Sequence, residues 1–461
     1  MGVVLTVAIG ALGPSAVVPG LAGAGWQPPY SLGLRPDGHL VIAMAAAAIV
    51  VGATGLGAGL VALRRGWAPD PRRLLLYGCL VAGVLAFLPP SGSADHLNYA
   101  AYGRMAVLGH DPYATGAVQL SGDPIADAVE IPWREEPSLY GPVATAVQAG
   151  AGLIGGDSVR LTVFALAAAN ALAFLVTALL LHRLASGDRD RQARAALLWT
   201  VNPLVLYQLV AGMHVDTQAI VFVTAALLTG RGTRWWATGP LLGLGIATKV
   251  NSGLVALGTA WELRRSPWRL AFVAGTALAT VVAAYLLAGP NSLDQVLHAS
   301  KSISWATPWH LAQRALQTLF GPGAYRSWVQ AGSLLTLLAL ATVLFRALRP
   351  HFSHSSTTHW WNGRTERPAG GAREAGEGGW SRWWSWWRGC SPRRTRCRGT
   401  TGWRSRCWRP CPPRRWTGSW SRGWPRCRWP TFRRGSRGSR RISGGSSPWC
   451  AVRWCRGFCW G

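Results

Sequence analysis

The sequence predicts an all-α fold: a polytopic integral membrane bundle of about ten spans, followed by a disordered C-terminal tail. Three observations carry this expectation. Apolar residues gather into runs longer than a soluble core needs, arginine recurs in every second loop between the runs, and the last stretch of chain is nearly devoid of aliphatic side chains. Residues 40–63 hold no charge and residues 267–289 hold only Arg269, and about 20 apolar residues in helical form cross a bilayer's hydrocarbon.

In chain order the apolar runs are 3–18, 40–63, 74–88, 159–181, 195–211, 217–229, 235–248, 252–261, 270–288 and 328–348. The shorter ones cannot cross about 30 Å of hydrocarbon at about 1.5 Å per residue, so they need tilt, flanking aromatics or re-entrant packing. No Lys or Arg precedes run 3–18 and no small-residue cleavage site ends it. It is therefore expected to be a retained first span rather than a signal peptide, with an upstream start missing.

The arginine clusters are Arg64, Arg65, Arg72 and Arg73; Arg183, Arg189, Arg191 and Arg194; Arg231 and Arg234; Arg264 and Arg265; Arg346 and Arg349. Positive residues in short loops stay cytoplasmic, and the alternation holds only if 235–261 is split into a hairpin at Lys249. The other loops, 89–158, 212–216, 249–251 and 290–327, then face the exterior. The chain's two lysines, Lys249 and Lys301, both fall on that side. A cation kept there needs an anion.

The formal net charge of +29 would suit nucleic acid, yet it is local. Residues 351–461 carry 24 Arg and 3 Glu, a balance of +21, which leaves +8 for residues 1–350. That tail has 16 of the 27 Trp and 8 of the 9 Cys but no Leu or Met, so it cannot bury enough apolar surface to offset chain entropy. Its cysteines form no Cys-x-x-Cys pair, which argues against zinc. Such an Arg/Trp/Cys/Gly mixture is what a GC-rich gene yields when translated out of frame. Residues 1–350 are thus expected to be the functional membrane region, without nucleic acid as partner.

Function is sought on the exterior side. Residues 93–109 pattern as a helix with Ser93 as N-cap and Gly109 as stop. Asp95, Tyr99 and Tyr102 then share one face at i, i+4 and i+7, with Arg104 about half a turn beyond Tyr102. The same spacing also suits a capped surface helix whose Asp95 favours the N-terminal dipole. Gly212-Met-His-Val-Asp216 is a very short turn between two apolar runs and holds His214 and Asp216 at the interface. Those two could simply cap helices, and Lys249 at the next hairpin tip could simply snorkel to headgroups.

The run from Asp95 to Tyr113, with Tyr99, Tyr102-Gly-Arg104 and Gly109-His-Asp111-Pro-Tyr113, resembles the first exterior loop of the GT-C membrane glycosyltransferases. Pro137-Ser-Leu-Tyr140-Gly-Pro142, Asn202-Pro203, His214-Val-Asp216 and Ala247-Thr-Lys249 follow in order. The pattern is most similar to that of the actinobacterial polyprenol-phosphomannose-dependent α-1,6-mannosyltransferases, over about residues 1–350. It departs in having Val215 where that family shows Asn, and in carrying the Arg-Trp-Cys tail where the family has later spans.

The resemblance implies inverting transfer of mannose from polyprenyl-phosphate mannose to a glycan or lipoglycan acceptor, at the extracytoplasmic side of the cytoplasmic membrane. It implies Asp95 as base, with Arg104, His214 and Lys249 on the donor phosphate. Tyr99, Tyr102, Asp111, Tyr113, Tyr140 and Asp216 would line the sugar site. No cofactor is implied, and a divalent metal requirement is left open. Two other readings compete: a nonfunctional, frameshifted fragment of such an enzyme, and a transporter or flippase with charge along its substrate path.

Overall fold

A computed structural model of the chain describes residues 1–131, 133–295 and 307–354, the side chains as far as 346. Among these, the regular elements are helical, and the one β contact is an isolated bridge between Ser15 and Val18. The α-helices are α1 (Gly2–Leu12), α2 (Gly38–Arg64), α3 (Pro71–Ala86), α4 (Asp95–Val107), α5 (Pro124–Asp127), α6 (Pro142–Gly155), α7 (Val159–Leu184) and α8 (Arg189–Ala195). They continue with α9 (Pro203–Val205), α10 (Asp216–Gly230), α11 (Thr238–Thr248), α12 (Ala256–Leu263), α13 (Pro267–Ala288), α14 (Pro308–Phe320) and α15 (Arg326–His354).

Local chemistry sets their starts. Asp37, Asp70 and Ser158 accept N–H bonds from Leu40, Arg72 and Leu161 at the heads of α2, α3 and α7, and Pro71, Pro142 and Pro267 open α3, α6 and α13, where no N–H is needed. Four helices among the described residues are long and apolar enough to cross a membrane: α2, α7, α13 and Arg326–Arg346 of α15. They differ in surroundings. Half of the apolar stretch of α7 is buried in the protein, against 6% for α13 and α15.

The expected spans and the helices diverge at informative places. Run 3–18 is helical only as far as Leu12, because Gly13 turns to φ 102 and Pro14 follows. Run 195–211 is not one helix: α8 passes into a π-helical turn (Ala196–Thr200), the chain breaks at Asn202-Pro203, and after α9 a second π turn runs over Leu206–Ala211. Pro203 removes an N–H from the ladder, and the Asn202 side chain accepts from Leu204 and Val205 instead. Run 235–261 does break at Lys249, whose backbone is extended between α11 and a 3-10 turn over Val250–Val255. Loop 89–158 contains, besides the expected α4, the helix α6, for which Tyr140-Gly-Pro142 is the entry turn. The tail after residue 354 and Lys301 lie outside the described residues.

Helix α4 lies in the core. Its Leu97, Tyr99, Ala100 and Ala101 pack with Ala144 and Ala151 of α6, Val163 and Leu166 of α7, and Met213 and Val215 of the turn before α10. Gly103 lets the Gln148 carbonyl approach where any Cβ would collide. Close backbone approach through small residues is the usual means of joining helices in apolar surroundings.

Candidate functional site

Four segments meet around the head of α4, and they belong to three of the loops that the arginine pattern assigns to one side. Asp95 and Tyr99 come from α4, Tyr140 from the turn before α6, His214 from the turn before α10, Asp216 from the start of α10, and Lys249 from the break after α11. Two backbone features hold the turns in place. Met213 adopts φ 54, a left-handed conformation that costs about 1 kcal/mol, and it is clamped by burial at 2% exposure. Gly141 donates its N–H to the Thr248 carbonyl at 3.0 Å, and a side chain at Gly141 would strike the Ala247 carbonyl.

The Asp95 Oδ2 atom is the hub. His214 Nδ1 lies 3.3 Å from it, and the Tyr99 hydroxyl donates to it at 3.4 Å. Tyr140 donates in turn to the Tyr99 hydroxyl at 3.3 Å, with the two rings edge to face. The Asp95 carboxyl is held below its ordinary value of 3.8, first by the His214 hydrogen bond, so it is ionised at neutral pH. Its side chain is 41% exposed and open to a second reactant. Burial pushes the Tyr99 and Tyr140 phenols well up, so they stay protonated donors. Beside this hub, Lys249 Nζ lies 2.6 Å from Asp216 Oδ2. Lys249 therefore has its anion.

The other expected site residues fall elsewhere. The Tyr102 hydroxyl donates to the Glu136 carbonyl at 3.0 Å. Arg104 is engaged by Asp123 at 2.8 Å and Asp157 at 2.5 Å, and also donates to the Gly156 carbonyl. Asp111 accepts from the Tyr113 N–H at 2.8 Å and from the Asn291 side chain at 2.9 Å. Tyr113 shares a 2.7 Å hydrogen bond with Thr145, and burial lifts its phenol to about 12.

Asp111 and Tyr113 line the polar edge of a groove of about 620 Å³, whose other wall is apolar and includes Val143 of α6 and Ala284 and Leu287 of α13. Leu287 is 89% exposed, so this wall continues into the unpartnered flank of α13.

Two participants escaped the sequence reading. Gln208, in the second π turn, places its amide nitrogen 2.9 Å from His214 Nε2. A polar residue inside an otherwise apolar run was the available signal. His96, next to Asp95, is fully buried with neither ring nitrogen partnered, and its value is pulled from 6.5 to about 4.

Residues 3–265 match the family model described as alpha-(1->6)-mannopyranosyltransferase, N-terminal domain. The chain is similar to alpha-(1->6)-mannopyranosyltransferase B of Corynebacterium glutamicum, 31% identical over 35% of this chain and 27% of the relative. It is similar as well to alpha-(1->6)-mannopyranosyltransferase A of the same organism, 27% identical over 40% of this chain and 37% of the relative. Against alpha-(1->6)-mannopyranosyltransferase A of Mycobacterium tuberculosis it is 29% identical over 60% of this chain and 55% of the relative. It thus spans between about a quarter and just over half of these curated relatives. No solved structure matches it. With the family model covering every segment that builds the Asp95 hub, the chain belongs to the alpha-(1->6)-mannopyranosyltransferase family.

Proposed function

We propose that the chain transfers mannose from a polyprenyl-phosphate donor to a glycan or lipoglycan acceptor, inverting the anomeric centre. The observation that carries this is an ionised, open Asp95 carboxylate, with the Lys249–Asp216 pair on the adjoining segments, at the meeting of turns that join apolar helices. In the reaction the acceptor hydroxyl oxygen attacks the mannose C1 and its proton passes to Asp95. The C1–O bond to phosphate breaks, and the polyprenyl phosphate leaves with the bonding pair. Displacement from the opposite face turns a β-linked donor into an α-linked product. Lys249 exchanges Asp216 for the departing phosphate, a step suited to a compact cation on a flexible stem. Arg104, already held by two carboxylates, is the weaker choice for that task.

A lipid-linked donor accounts for the groove. Its apolar wall on α6 and α13 suits an isoprenoid chain, and its polar edge carries Asp111 and Tyr113. This reading takes the protein as a multi-spanning bundle of about ten segments in the cytoplasmic membrane, with the site at the extracytoplasmic face. Residues 351–461 take no part in the reaction on this reading, and their composition supports out-of-frame translation as their origin. The transporter reading has nothing comparable to explain the Asp95 hub.

The test is transfer by membranes containing the full chain. Polyprenyl-phosphate mannose carrying radiolabelled sugar should label a glycan acceptor through an α-linkage, whereas sugar nucleotide alone should not. Labelling from sugar nucleotide without lipid intermediate would overturn the donor assignment.

A further inference from the structure

We propose that Gln208 is a positioning residue that keeps His214 neutral, with its one proton on Nδ1 facing Asp95, so that Asp95 retains its full negative charge until the acceptor arrives. The inference rests on the reading of Asp95 as the base and adds what guards it. A histidine beside a carboxylate ordinarily gains a proton and cancels the carboxylate's charge. Here the second ring nitrogen is covered. The Gln208 amide nitrogen, 2.9 Å from His214 Nε2, can only donate. A proton on Nε2 would set two N–H groups head to head, so Nε2 accepts, and the remaining ring proton lies on Nδ1, 3.3 Å from Asp95 Oδ2.

The chain of bonds then has one direction: Gln208 to His214 to Asp95, joined at the same carboxylate oxygen by Tyr140 through Tyr99. Every member gives a hydrogen bond toward Asp95, and none brings a full positive charge.

The charged and titratable neighbours of His214 are few. Asp95 and His96 face it from α4, and Asp216, clamped to Lys249, stands two residues further along its own turn. Tyr99 and Tyr140 close the ring as protonated phenols. The amide of Gln208 is the group whose donor geometry addresses Nε2 directly. It sits in a π turn immediately after the Asn202-Pro203 break, where the irregular backbone re-aims the side chain toward the His214 turn.

The experiment is solid-state nitrogen-15 spectroscopy of the full chain in bilayers with labelled histidine, His214 being assigned by difference from His214→Asn. At pH 7 the wild-type ring should be neutral, with the proton on Nδ1. Gln208→Glu supplies an acceptor at Nε2 and should raise the midpoint of His214 protonation by about one pH unit or more. Gln208→Leu should raise it less.

If the chain transfers mannose, the acid limb of its pH–rate profile should move with Gln208→Glu while the donor KM stays unchanged. A purely structural role would instead lower the rate equally at all pH values. A wild-type ring that is doubly protonated or carries its proton on Nε2, or a Gln208→Glu midpoint that does not move, overturns the proposal. The spectrum reads His214 whether or not transfer occurs, so this outcome is distinct from failure of the transferase reading.

Discussion

Helix α4 carries one charged cluster at its head and another near its foot, and the two are built on opposite principles. Near the foot, Arg104 is 14% exposed and lies against Asp123, itself 12% exposed, with Asp157 adding a second carboxylate. Each charge there is answered, and the guanidinium is held still firmer in its protonated form by Asp123. At the head, Asp95 is answered only by hydrogen-bond donors and keeps 41% of its side chain open. The closed cluster ties the segments around residues 123 and 157 to α4. The open one leaves an anion available. An ion pair that is saturated can stabilise a fold, whereas a reacting group must keep an unfilled valence toward its substrate.

The difference can be broken from the structural side first. Arg104→Ala leaves the partly buried Asp123 carboxylate without its cation, and losing the partner of such a group costs up to roughly 3 kcal/mol. The solvent-facing Asp157, 79% exposed, adds little. Thermal unfolding in detergent should show this loss, while activity per folded molecule changes far less. A loss well under 1 kcal/mol would remove the contrast.

The buried neighbour of the open cluster gives the next largest effect. His96 has its value lowered to about 4 by burial, so between 6.5 and about 4 the unfolded chain takes up a proton that the folded one does not. Its stabilising contribution is complete above 6.5 and declines by roughly 3 kcal/mol as the pH falls to about 4. His96→Leu should flatten the stability profile in that window. Asp95, whose value is lowered, loses its contribution only below 3.8, so the two groups separate on the pH axis.

The smallest of these effects concerns Lys249. Lys249→Ala should raise the donor KM about tenfold, roughly 1.4 kcal/mol, and should do so less for a donor analogue lacking the phosphate charge. Equal loss for both analogues would assign Lys249 to folding instead.

The sequence made the local part of this site legible. Asp95 and Tyr99 are four residues apart on a helix, and that spacing alone brings the phenol to the carboxylate. Arg104 shows the limit of the same arithmetic. Nine residues at about 100° each put it on the far side of α4 from Asp95, and only the fold shows that Asp123 and Asp157 wait there. The arginine rhythm put on one side the three loops that meet at the site, and the hairpin break at Lys249 was visible for the same reason. The partnership of Tyr140 with Tyr99, across 41 residues, was not visible. Nor was that of Gln208 with His214, because the π turn that aims Gln208 interrupts the regular helical period on which pattern reading depends. The start of α6 was legible in Tyr140-Gly-Pro142, while its alanine- and glycine-rich body signals neither a long span nor an amphipathic face.

The most direct test of the account is the rate of mannose transfer from polyprenyl-phosphate mannose by Asp95→Asn, measured per folded molecule in membranes beside the wild-type chain. The substitution keeps the size of the side chain and removes the base. Transfer should fall by about 10²-fold or more, while the unfolding free energy at pH 7 stays within about 1 kcal/mol of wild type. Transfer at a near-wild-type rate by a stably inserted Asp95→Asn protein would contradict the account.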